Sequence, residues 1–101
     1  MPEVRFDVQW PDGSSQSCYS PSLIVEDYFA VGTSYPVTEF VRLSREALGI
    51  ASERVRAKYG FPCSLAAAAL AEIESSAARF GPPSEAEPNR VPMVTVRGFR
   101  R

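Results

Sequence analysis

The chain has 101 residues, 45% hydrophobic and 23% charged, with eleven basic and twelve acidic side chains and no histidine. That length suits one domain with one modest core, and the composition excludes disorder over most of it. The missing histidine removes Ser-His-Asp and Cys-His nucleophiles and His-ligated metals, the balanced charge argues against nucleic acid as a partner, and no apolar run approaches the ~20 residues that span a bilayer.

Residues 3–10 predict the first strand. Val4, Phe6, Val8 and Trp10 alternate with Arg5, Asp7 and Gln9, the period of a half-buried strand. Pro11-Asp12-Gly13 supplies a turn, since Pro presets φ and Gly accepts positive φ. Asp12-Gly13 between two extended runs is a hairpin signal, so residues 15–20 are expected to pair antiparallel with the first strand. Pro21 stops the second strand. Leu23-Ile24-Val25 favours extension, while Ser22 suits the cap of a short helical turn. Residues 21–35 are therefore expected as an irregular connection that buries apolar side chains.

The pattern from 36 to 59 is helical. Val37, Phe40, Val41, Ser44, Ala47, Leu48, Ala51, Val55 and Tyr59 fall on one stripe. Pro36 fits the first turn, Gly60 suits the left-handed residue past the end, and Pro62 bars continuation. Gly49 inside the helix suggests close approach of another element. A second helix is expected over 63–80, with Ala66, Ala69, Leu70, Ile73, Ala77 and Phe80 as its apolar face. The short link makes the two an antiparallel αα-hairpin. Gly81-Pro82-Pro83 ends it, residues 82–90 read as a surface linker, and 91–99 as a third strand. The fold class is α+β, in the order β-β-α-α-β. It places a three-stranded antiparallel sheet under a helical hairpin on one face, in a single domain over 1–101. The other face is expected to be open, with Phe6, Trp10 and Tyr19 marking an association surface.

The candidate chemistry is sparse. Cys63 at a helix start could have its thiol pKa lowered by the dipole, with Arg56 or Lys58 near, and Cys18 could be its partner. The plainer reading is that free cysteines are packing residues. Two cysteines alone do not complete a zinc site, so no metal is assigned. Glu46, Glu53, Glu72 and Glu74 could form a carboxylate pair across facing helices, but solvated ion pairs with Arg42 and Arg45 explain them. Ser20, Ser22 and their serine neighbours could hold a small ligand or phosphate; more often such hydroxyls satisfy turn backbone. Arg97, Phe99, Arg100 and Arg101 form a basic tail that could touch nucleic acid, a reading the net charge opposes. No catalytic set and no cofactor emerge.

Three segments carry a resemblance: Phe6–Trp10 with Pro11-Asp12-Gly13, Ser17-Cys18-Tyr19-Ser20-Pro21-Ser22, and the run Ile50–Ser64 that contains Ser-Glu-Arg-Val-Arg-Ala-Lys-Tyr-Gly-Phe-Pro-Cys-Ser. Together they resemble the small nitrogen-starvation-response proteins of mycobacteria and many other bacteria, over nearly the whole chain. The resemblance implies a context and no catalytic residues. Such proteins are encoded beside a nitrilase, a radical SAM protein and other enzymes of a cluster linked to scavenging nitrogen from nitriles or cyanide. The residues singled out by motif and chemistry are Cys18, Tyr19, Ser20, Ser22, Arg54, Arg56, Cys63 and Ser64.

The leading expectation is a non-enzymatic cytoplasmic accessory protein. It would bind a cluster enzyme, or its own copy, through the open sheet face or the Cys18–Ser22 loop. The N-terminus has no charged-then-apolar signal pattern, which underlies the expected location. The alternative is a thiol-dependent enzyme or redox protein built on Cys63, with Cys18 as partner.

Overall fold

The computed structural model describes residues 3–61, 63–80 and 92–101. In chain order it contains β1 (Val4–Gln9), β2 (Ser15–Ser20), α1 (Val25–Tyr28), β3 (Ser34–Pro36), α2 (Val37–Tyr59), α3 (Ser64–Ala78) and β4 (Met93–Arg100). The expected linker over 82–90, the break at 81–83, Pro62 and Val91 lie outside the described residues. Among the described residues no helix is long and apolar enough to cross a membrane.

The sheet is antiparallel, in the order β2-β1-β4-β3. It has four strands where the sequence reading expects three. The additional one, β3, comes from the stretch expected to be irregular, and α1 is a single helical turn in the same stretch. Both are too short to leave a periodic signature, and Pro36, read as the first helical residue, instead closes β3 and precedes α2. Pairing of Ser34–Pro36 with Met93–Thr95 gives β4 a neighbour on each side, so β4 is a central strand.

The β1–β2 turn forms as its residues dictate. Gly13 takes φ +89, and the Asp12 carboxylate accepts from the Ser14 N–H at 3.0 Å. The β1–β4 register slips once, so that Asp7 faces Gly98 and Val8 faces Val96, and Arg97 is the bulged residue.

The aromatic face of β1 is the core. Val4, Phe6, Val8 and Trp10 are all buried, Phe6 completely and Trp10 to 2% exposure. Phe6 stacks on Phe29 at 5.8 Å, and Phe29 meets Phe40 of α2 at 5.2 Å. Trp10 meets Phe40 edge-on at 5.6 Å and stacks on Phe80 at 5.8 Å. The expectation that Phe6 and Trp10 mark an open face is therefore corrected. They share a side with Val4 and Val8, and burial of that whole side leaves only Tyr19 of the three on the other. The outer face is polar: Arg5, Asp7, Gln9, Ser17, Thr95, Arg97 and Arg100 alternate with the buried set. On it Arg100 forms two 2.9 Å hydrogen bonds to Asp7 and a 3.0 Å one to Ser17.

Helix α2 is 23 residues long, about 35 Å at 1.5 Å per residue. The six-residue strands it crosses reach about 20 Å. Val37, Phe40, Ser44, Ala47, Leu48 and Ala51 of its stripe are buried, Val41 and Val55 are half-buried, and Tyr59 stands exposed past the end of the sheet. Gly60 at φ +89 returns its N–H to the Arg56 carbonyl at 2.8 Å and ends the helix, as expected. α3 then runs back against α2 through Ala66, Ala69 and Ile73, and its other flank lies along β2. Ser44 is a polar exception on the buried stripe: its Oγ has no hydrogen-bond partner among the described residues.

Gly49 is exposed, and a Cβ built there meets nothing within 4 Å. Among the described residues no element approaches it closely, contrary to the expectation. Its conformation is ordinary helix, so the residue only weakens α2. Gly49→Ala should stabilise the protein by about 0.5–1 kcal/mol in denaturant unfolding; destabilisation would show a close contact at this position.

Candidate functional site

The second and third resemblance-bearing segments converge where the end of β2, the C-terminal part of α2 and the start of α3 meet. Ser20 and Ser22 are both buried. The Ser20 hydroxyl donates to the Ser22 carbonyl at 2.7 Å and accepts from the Ser22 N–H at 3.3 Å. The Ser22 hydroxyl accepts from the Ile24 N–H at 3.3 Å and from Arg54 Nη1 at 3.0 Å. This chain of bonds ties the chain leaving β2 to α2, 32 residues away. It satisfies backbone groups at a turn, the plainer of the two expectations for these serines.

The two cysteines are free and differ in setting. Cys18 opposes Phe6 on the buried side of the sheet. Burial pushes its thiol up to about 12, helped by the charges of Glu72 and Asp7. The thiolate needed for exchange chemistry is suppressed there. Cys63 is partly buried at the N-cap of α3; its carbonyl accepts from the Ala67 N–H at 3.2 Å, and its side chain makes no capping bond. Ser64 follows as the exposed first residue of α3. Arg56 is not part of this junction's bonding, since its guanidinium closes on Glu53 of its own helix at 2.8 Å.

Tyr19 lies on the outer side of β2, opposite Arg5 of β1 and on the side of Cys63. Partial burial and the neighbouring Glu3 carboxylate push the phenol up to about 12. The Arg5 guanidinium sits 5.7 Å from its ring centroid. Tyr19 forms one wall of a cleft of about 170 Å³, shared with Arg5, Ser17, Leu65, Ala68, Ala69 and Glu72. Of these the sequence reading singles out Tyr19, raises Ser17 and Glu72 only among the serines and the helix carboxylates, and does not find Arg5. Arg5 and Glu72 are 67 positions apart, and nothing in a helix or strand period brings two such residues together.

A second feature the sequence reading misses is the hairpin tip. Tyr59, Phe61 and Leu65 are 53%, 65% and 59% exposed. Lys58 Nζ lies 5.5 Å from the Tyr59 ring centroid. The signal was present in Phe61, a large apolar residue beside the helix-ending glycine, where no helix stripe can bury it.

The charged candidates elsewhere are mutually paired. Arg42 binds Glu39 and lies 3.7 Å from Glu46, and Arg45 reaches Glu74 across the hairpin at 3.2 Å. The basic tail is likewise engaged: Arg100 with Asp7 at 2.9 Å, Arg101 with Glu26 at 3.0 Å. The Arg100 hydrogen bond holds the Asp7 carboxyl below its ordinary range. Among the described residues, no group of three or more Cys, Asp or Glu side chains is placed to hold a metal.

The cysteine settings have a direct readout. Native protein should show one thiol reactive toward a small alkylating reagent, Cys63, and two in denaturant. Cys18 titrates from 9.0 in the unfolded chain to about 12 in the fold, so its neutral burial favours the fold below pH 9 and that preference is lost as pH rises toward 12. Cys18→Ala should flatten the alkaline limb of stability, leaving the share contributed by Tyr19. Two equally fast native thiols would contradict the placement of Cys18.

A family model described as nitrogen starvation-induced protein NitG matches residues 5–96. Comparison with curated proteins and with solved structures gives no match. The match takes in the hairpin from residue 5, the α2–α3 junction and the first half of β4, and the chain belongs to the NitG family of nitrogen starvation-induced proteins.

Proposed function

We propose that this chain is a non-enzymatic accessory protein of the cytoplasm that docks onto an enzyme of the nitrogen-scavenging machinery through the α2–α3 tip. The observation that carries this reading is the cluster of Tyr59, Phe61 and Leu65, each more than half exposed, within seven positions at one end of the molecule. Burying a Phe-sized side chain is worth about 1.5–3 kcal/mol. Aromatic residues at the centre of a contact are where binding energy concentrates.

The tip also has a charge signature. Lys58 lies 5.5 Å from the Tyr59 ring centroid, while Arg54 and Arg56, earlier on α2, are engaged by Ser22 and Glu53. A partner surface that fits is an apolar groove edged by carboxylates. The outer sheet face supports association less well, because Asp7 and Arg100 at its middle are already paired with each other. Thiol chemistry at Cys63 is a second reading, favoured by its partial exposure at the start of α3. It would act without Cys18, which burial keeps neutral.

Immobilised wild-type chain should capture an enzyme of the cluster from extracts of nitrogen-starved cells. Phe61→Asp should lose most of that capture while unfolding at the wild-type temperature, since Phe61 packs little in the monomer. Undiminished capture by Phe61→Asp, or its loss on Thr95→Lys on the outer sheet face, would move the interface to the sheet.

A further inference from the structure

The cleft beside Tyr19 has a chemistry that accessory docking does not use. Arg5 of β1 and Glu72 of α3 lie on opposite elements of its wall. Among the described residues neither has an ion-pair partner, although seven other ion pairs form. The rest of its lining is Leu65, Ala68 and Ala69, together with the Tyr19 and Ser17 side chains.

We propose that this cleft binds a small zwitterion, an α-amino acid with a short apolar side chain. Its carboxylate would pair with the Arg5 guanidinium and its ammonium with the Glu72 carboxylate. The Arg5 guanidinium is already held against the Tyr19 ring, so part of the ordering that binding requires is complete beforehand. A planar guanidinium presents paired donors that match a carboxylate, which gives the acid end geometric selectivity.

Size limits the guest. Clefts for drug-sized ligands hold about 300–1,000 Å³, and this one holds about 170 Å³. The side chain must also be apolar and short, because it rests on Ala68, Ala69 and Leu65. The alanine run of α3 thereby acquires a second consequence. Ala66 and Ala69 pack inward, while Ala68 keeps the floor of the cleft low. A larger residue at 68 would fill the space the ligand needs.

This inference is independent of docking at the tip, apart from Leu65, which belongs to both surfaces. The test is a titration of the full chain with L-alanine, followed by amide chemical shifts. Propionate and ethylamine serve as probes that carry one charge each. Alanine should give saturable shifts at Arg5, Tyr19, Leu65 and Glu72, and neither single-charge probe should match it. Arg5→Gln and Glu72→Gln should each weaken binding at least about tenfold, the loss of one charge-assisted contact. Both sites are exposed, so the variants should fold, and Ala68→Leu should abolish binding with both charges intact. The proposal is overturned if alanine gives no saturable shift, if propionate or ethylamine binds as well, or if the three variants bind like wild type.

Discussion

Phe29 and Phe40 lock the helical layer onto the strands. Phe29 arrives from the one-turn helix α1, packs on Phe6 of β1, and meets Phe40 from the first turns of α2. Trp10 closes the same cluster from the end of β1 by touching both Phe40 and Phe80. Four separated parts of the chain thus share one aromatic contact set. A packed interior tolerates few alternatives at such a point, so the direction in which β1 faces fixes the face that every other element covers.

Two surfaces follow from that choice. With the apolar side of β1 committed to the helices, the other side of the sheet is left to Arg5, Asp7, Ser17, Arg97 and Arg100, and it is polar. Meanwhile α2 outruns the strands it packs on. Its last turns have no sheet beneath them, and the left-handed Gly60 turns the chain back in open solvent. The apolar residues that a core would have absorbed, Tyr59, Phe61 and Leu65, therefore stand outside. An exposed cluster of this kind is a sign of association, and here it is a consequence of helix length. The cleft next to it arises similarly, where α3 passes along the β2 edge with side chains too small to close the gap.

Much of this architecture was legible in the sequence. The alternation of residues 4–10, the Asp12-Gly13 turn, the α2 stripe and the Gly60 stop each rest on a strong local rule, and each element forms where that rule puts it. The fold class follows from their order. β3 and α1 were not legible, because three or four residues hold too little periodicity and their conformation is imposed by β4 and α2. The open face was misread for a different reason. Alternation shows which residues share a side of a strand, but which side the helices cover is a tertiary fact. Of the candidate site residues, Ser20, Ser22 and Arg54 do meet, though no local pattern joins positions 22 and 54. Arg5 escapes the sequence reading, and Glu72 enters it only as a solvated helix carboxylate, because each reads as an ordinary surface charge until β1 and α3 are brought side by side.

The measurement that bears most directly on this account is quenching of the fluorescence of Trp10, the only tryptophan in the chain. A ring 2% exposed between Phe40 and Phe80 requires blue-shifted emission and strong resistance to acrylamide, both lost together on unfolding. Red-shifted emission that acrylamide quenches freely in the native protein would place the aromatic side of β1 in solvent and contradict the fold from which both surfaces are derived.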